Sequence, residues 1–123
     1  MARILVIDDS CFQRNTLGRI LYSEKHEVIY APNGAMGLEQ LKYVEIDAIL
    51  VDYLMPVMDG LRFLEELCKL EDPPPAALVT ADNQPFICTK AAQLGASKFL
   101  SKPIKEEELI EAIELLLSEG RAG

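Results

Sequence analysis

The chain has 123 residues, 50% of them apolar and 26% charged, and twelve Lys and Arg against twenty Asp and Glu give a net charge of −8. That length suits one domain, 1–123, with a core that needs no metal or disulfide staple, and the acidic balance excludes a phosphate-backbone footprint or an anionic membrane as partner. No apolar run approaches the ~18 residues of a membrane span, and the opening Met1-Ala2-Arg3 leads into only four apolar residues, so a cytoplasmic chain without anchor or signal peptide is expected.

The first apolar run, Ile4-Leu5-Val6-Ile7, predicts a strand, and the stripe Phe12, Leu17, Ile20 and Leu21 after it predicts a helix capped by Ser10. A weaker strand at Val28-Ile29-Tyr30 precedes a short helical segment, 34–43. Ala48-Ile49-Leu50-Val51 predicts a third strand, followed by a helix with Leu61, Leu64, Leu67 and Cys68 on one face and Asp59 as its cap. The run Glu71-Asp72-Pro73-Pro74-Pro75 ends that helix and delivers the chain to a strand at Ala76-Ala77-Leu78-Val79. A helix in segment 85–94, with Asn83 as cap and Pro85 in its first turn, leads to a short strand at Phe99-Leu100, and Leu109, Ile110, Ile113, Leu116 and Leu117 mark a last helix.

Unbroken apolar strands imply a sheet covered on both faces, and their strict alternation with helices predicts an α/β domain of five βα units with right-handed crossovers. The three cysteines, Cys11, Cys68 and Cys88, have no C-x-x-C spacing, and His26 is the one histidine. Zinc therefore lacks its ligands, each cysteine reads as a small apolar filler, and His26, in a polar stretch, reads as solvated.

Ligands of open α/β sheets bind at the carboxyl ends of the strands. There the first strand ends in Asp8-Asp9, the third in Asp52 and the fourth in Thr80, and the fifth is followed by Ser101-Lys102-Pro103. Singly, each has an ordinary explanation as a helix cap, a turn residue or a surface charge. Jointly, three carboxylates, a hydroxyl and an ammonium meet at one sheet edge. If the first and third strands are neighbours, the acids lie within several Å, where like charges repel by about a kcal/mol or more per pair. A hard divalent cation relieves that repulsion, and Mg²⁺ keeps open positions for phosphate oxygens. With Lys102 it would form a pocket for a phosphoryl group, and a carboxylate is a competent phosphoryl acceptor. Asp52 is the candidate acceptor, being the lone acid at its strand end.

These pieces resemble the receiver domain of two-component response regulators, close to the stand-alone chemotaxis type. The matching segments are Ile4-Leu5-Val6-Ile7-Asp8-Asp9-Ser10, Val51-Asp52-Tyr53-Leu54-Met55-Pro56-Val57-Met58-Asp59-Gly60, Val79-Thr80-Ala81 and Lys98-Phe99-Leu100-Ser101-Lys102-Pro103. The resemblance implies a doubly wound (βα)5 flavodoxin-like fold with a five-stranded parallel sheet in the order 2-1-3-4-5, the order of a chemotaxis receiver. It implies that Asp52 becomes a 4-aspartylphosphate, that Asp9 binds Mg²⁺ directly and Asp8 mostly through water, and that Asp52 and the Leu54 carbonyl complete the ligands. Lys102 and Thr80 would contact phosphoryl oxygens, small Ala81 would leave room for the donor, Thr80 and Phe99 would form a switch, and Pro103 would follow a cis bond. The phosphoryl donor would be a sensor histidine kinase or a histidine phosphotransfer protein, and the target would bind the face between the fourth and fifth helices. Such a protein assists its own phosphorylation and dephosphorylation without being an enzyme.

Residues 105–123 hold six Glu and two basic residues, half the chain's net charge. A solvated helix face accounts for them, with a basic partner surface as the sharper alternative. Two other functions share the fold. A flavodoxin-like FMN carrier needs a loop of N–H donors where this chain has Asp8-Asp9-Ser10, and an aspartyl phosphatase of the haloacid-dehalogenase type needs an acid where it has Leu54. A phosphorylation-incompetent docking module would not need the full set of site residues.

Overall fold

The structure, a computed structural model, describes residues 1–82 and 84–121. Among them strands and helices alternate as β1 (Arg3–Ile7), α1 (Cys11–Ser23), β2 (Glu27–Ala31), α2 (Gly34–Tyr43) and β3 (Ala48–Asp52), then α3 (Gly60–Leu67), β4 (Ala76–Thr80), α4 (Pro85–Gln93), β5 (Lys98–Ser101) and α5 (Glu106–Arg121). The strands form one parallel sheet in the order β2-β1-β3-β4-β5, the expected order.

Strand side chains alternate between faces, and each face feeds its own core. Leu5, Ile7, Ile49, Val51 and Leu78 pack with Phe63, Leu64 and Leu67 of α3 and Ile87 and Ala91 of α4, with Leu38 and Leu41 of α2 at the margin. Ile4, Val6, Ala48, Leu50, Ala77 and Val79 pack on the other face with Leu17 and Leu21 of α1 and Leu109, Ala112, Ile113 and Leu116 of α5. Each fully buried large side chain contributes about 1.5–3 kcal/mol, which is why three central strands can be apolar on both faces. All five residues of β3 and of β4 are buried.

Helix starts follow their caps. Ser10 accepts from the Gln13 N–H, Asp59 from the Arg62 N–H and, unanticipated from sequence, Asn33 from the Met36 N–H. The cap of α4 is Gln84, which makes no side-chain cap bond, with Pro85 at the helix start; the expected cap, Asn83, lies outside the described residues.

Three expectations fail. Phe12 is 78% exposed, because it stands about 140° round the helix from Leu17 at ~100° per residue and so cannot share the buried stripe. Cys11 and Cys68 are exposed and Cys88 is only half-buried, so the cysteines are not core fillers; Cys68 is the C-cap of α3 and donates to the Glu65 carbonyl. His26 is half-buried, and its Nδ1 accepts the Ala2 N–H at 3.2 Å, which ties the chain start to the turn before β2.

Candidate functional site

Sheet register places the acids. Ile7 pairs with Val51, so Asp8 and Asp52, each one residue further on, stand side by side where β1 and β3 end. Asp52 pairs with Val79, and Thr80 with Ser101. The Lys102 N–H donates to the Thr80 carbonyl at 2.9 Å, and the Lys102–Pro103 bond is cis. The predicted residues Asp8, Asp9, Asp52, Thr80 and Lys102 are thus all delivered to the carboxyl edge of the sheet.

Among the described residues the buried polar and charged side chains are Asp8, Asp52 and Thr80, at 2%, 5% and 3% exposure; all three belong to this edge. One carboxylate oxygen from each of Asp8, Asp9 and Asp52 lies within 4.8 Å of the other two. Lys102 Nζ stands 2.9 Å from Asp52 Oδ1 and 3.7 Å from Asp8 Oδ2, so it hydrogen-bonds the first and only faces the second. Burial, foremost, with help from the Asp8 and Asp9 charges, holds the Asp52 carboxyl above its usual range, although the Lys102 hydrogen bond and charge pull it down. Burial alone would lower the Lys102 ammonium, but the hydrogen bond it donates to Asp52 and the charges of Asp52 and Asp8 hold it above its usual value, so it is charged at neutral pH.

A single ammonium cannot balance three carboxylates. At 4 Å each like-charged pair costs about 4 kcal/mol at the effective dielectric of a protein surface. Asp8 Oδ1 accepts the Ser10 N–H at 2.9 Å, whereas Asp8 Oδ2 is buried without a hydrogen-bond partner, a costly condition for a charged oxygen. An orphaned buried carboxylate oxygen beside two further carboxylates is a donor set that fits a hard divalent cation. The Asp8–Ser10 bond also spends an N–H that an FMN phosphate would need at this turn.

The loop between β3 and α3 is built tightly. Tyr53 N–H donates to Val79 O, Met55 is buried, and Met58 N–H donates to Pro56 O at 2.7 Å around Val57, whose φ is 70°. Gly60 N–H returns to Tyr53 O at 2.8 Å. A Cβ on Gly60 would lie 2.5 Å from the Asp52 carbonyl oxygen and 2.9 Å from Tyr53 Cα, so only glycine lets α3 begin against the end of β3. Leu54 sends its side chain into solvent.

Thr80 Oγ1 accepts the Asp82 N–H at 2.9 Å and donates to the Asp82 carbonyl at 3.3 Å. Phe99 is half-buried against the α3/α4 core, in register with Leu78. Sequence reasoning missed Arg14, whose Nη1 donates to the Asp8 carbonyl at 2.7 Å. The available signal was its place one helical turn after the Ser10 cap, on the side of α1 that leads back to β1.

Residues 4–114 match the family of the response regulator receiver domain. The chain is 33% identical over 117 residues to the chemotaxis protein CheY of Bacillus subtilis, covering 94% of this chain and 98% of that one. It is 32% identical to the protein PilH of Pseudomonas aeruginosa, covering 96% and 99%. Among solved structures, a CheY-like response regulator receiver domain protein from Methanospirillum hungatei superposes with a TM-score of 0.92 at 27% identity, covering 99% of this chain and 98% of that one. With the sheet order and the acidic edge already in place, these likenesses establish that the chain belongs to the response regulator receiver family of two-component signalling and is CheY-like.

Proposed function

We propose that this receiver domain is a phosphorylation-driven switch that takes a phosphoryl group from a phosphohistidine of a sensor histidine kinase or histidine phosphotransfer protein onto Asp52. The observation that carries the reading is the buried Asp52 carboxylate, 2.9 Å from Lys102 and clustered with Asp8 and Asp9. A carboxylate held above its usual range by burial is the more basic nucleophile once ionised. An Asp52 oxygen attacks phosphorus in line, and the phosphorus–nitrogen bond breaks with its electron pair and a proton passing to the histidine. Lys102 meets a phosphoryl oxygen, and the Thr80 hydroxyl donates to another. Asp8, Asp9, Asp52 and the Leu54 carbonyl would hold Mg²⁺, which supplies charge neutralisation for the transferring group. Water attacking the phosphorus later restores the carboxylate and releases inorganic phosphate. The protein is therefore no enzyme acting on a small substrate, but it assists its own phosphorylation and dephosphorylation.

Around this pocket Phe12 at the start of α1, Leu54 and Val57 on the loop after β3, and Phe86 at the start of α4 are all exposed, an apolar surround that suits a protein donor. The output side would be the α4, β5 and α5 face. Movement of Thr80 toward the phosphoryl group frees space for Phe99, and the altered face changes affinity for a target protein by shifting a population between two states. Among the described residues no helix is long and apolar enough to cross a membrane, which accords with a cytoplasmic place for the switch.

The test is incubation with Mg²⁺ and a small acyl phosphate, followed by intact mass. Wild type gains one phosphoryl group and Asp52→Asn gains none; absence from wild type, or persistence in Asp52→Asn, overturns the reading.

A further inference from the structure

Asp8 lies between the last residue of β1 and the cap of α1, and its backbone and carboxylate are fixed at three points. Its N–H donates to Ala31 O at 3.1 Å, its Oδ1 accepts from Ser10 N–H at 2.9 Å, and its carbonyl accepts from the Arg14 guanidinium at 2.7 Å. The last is a charge-assisted bond at the short end of the N–H···O range, made by a half-buried side chain. It grips the peptide group that joins Asp8 to Asp9, and so sets the direction in which Asp9 leaves the strand.

We infer that Arg14 is a positioning residue for the cation site: by holding the Asp8 carbonyl it keeps the Asp9 carboxylate within reach of Asp8 and Asp52. The inference rests on the reading of the acidic cluster as a Mg²⁺ site and extends it to a residue that touches neither the ion nor the phosphoryl group. Asp8 and Asp52 are fixed by the sheet, whereas Asp9 is exposed and follows the turn. Arg14 also carries a positive charge near the acids, and the two effects of removing it have opposite signs. Loss of a nearby cation by itself tightens binding of a divalent cation, while loss of orientation weakens it.

The experiment is calorimetric titration of MgCl₂ into unphosphorylated wild type, Arg14→Met and Arg14→Lys, each checked by a thermal melt. Arg14→Met, which keeps the length of the stem, is expected to bind Mg²⁺ about tenfold more weakly, the scale of lost support around a ligand. Arg14→Lys, which keeps the charge and one donor, is expected to fall between it and wild type. Equal or tighter binding in both variants overturns the inference while leaving the Mg²⁺ site intact. Should Arg14→Met not fold, Arg14→Lys decides alone, because its charge is unchanged and any weakening reports the lost guanidinium contact. If wild type itself takes up no Mg²⁺, the reading of the cluster falls first and the role of Arg14 with it.

Discussion

The two edges of the sheet are made from the same strands and treat charge in opposite ways. At the amino edge Arg3 pairs with Glu27 at 3.0 Å, its backbone N–H donates to Asp47 at 2.7 Å, and its guanidinium reaches the Glu45 carbonyl. The side chains of the Arg3–Glu27 pair remain 38% and 50% exposed, so water already screens them and the pair is worth about 0–1 kcal/mol. At the carboxyl edge Asp8 and Asp52 are almost wholly buried, with Lys102 as the one ammonium between them. The first arrangement tidies the surface, while the second concentrates negative charge where it costs stability and where the proposed cation and phosphoryl group would give it a use.

The contrast is broken most severely at Lys102. Lys102→Met leaves two buried carboxylates facing one another, and an unfolding free energy about 3 kcal/mol lower is expected at pH 7, measured by urea denaturation. The loss should shrink as pH falls through the raised range of the Asp52 carboxyl, which then takes up its proton. In wild type the raised Lys102 ammonium contributes stability that is fully present below its unfolded value near 10.5 and disappears as pH rises through the folded value.

The opposite sign is expected at Asp52. Because its folded carboxyl sits above the ordinary aspartate value of 3.8, ionisation costs stability as pH rises through that window, and Asp52→Asn removes the cost. In Mg²⁺-free buffer at pH 7 its Tm should exceed that of wild type by a few degrees, with Lys102 still facing Asp8. Below pH 3.8 the two proteins should melt together. An Asn variant less stable at pH 7 would mean that Lys102 outweighs burial.

Arg3→Gln is the smallest change. A loss below about 1 kcal/mol is expected, and less in molar salt; a larger, salt-insensitive loss would make the amino edge a structural centre in its own right.

Legibility in the sequence follows the same division. The strands were readable because the runs Ile4–Ile7, Ala48–Val51 and Ala76–Val79 are apolar without interruption, and the candidate site was readable because four of the five strands end on or next to one of its residues. Sheet order came from the family resemblance, since no strand states its neighbour. Where sequence reading failed, a single residue's direction was at issue: Phe12 fell within the expected helix but on its outer side, and exposed Cys11 and Cys68 were assigned to a core by residue type. Arg14 was overlooked because its partner is a backbone carbonyl, which no side-chain pattern marks, and its place one turn after the Ser10 cap is the one hint of the contact. Asn33 was missed because a lone polar residue after Pro32 gives no sign that the Met36 N–H needs it.

Thr80 donates its one hydroxyl proton to the Asp82 carbonyl and accepts the Asp82 N–H, three residues ahead of Pro85 and α4. That one proton cannot go to a phosphoryl oxygen and to the Asp82 carbonyl together. Under the proposed function, chemistry on Asp52 and the entry into the fourth helix would therefore compete for one proton, and a message about charge at the sheet edge would reach the helix as a vacated hydrogen bond.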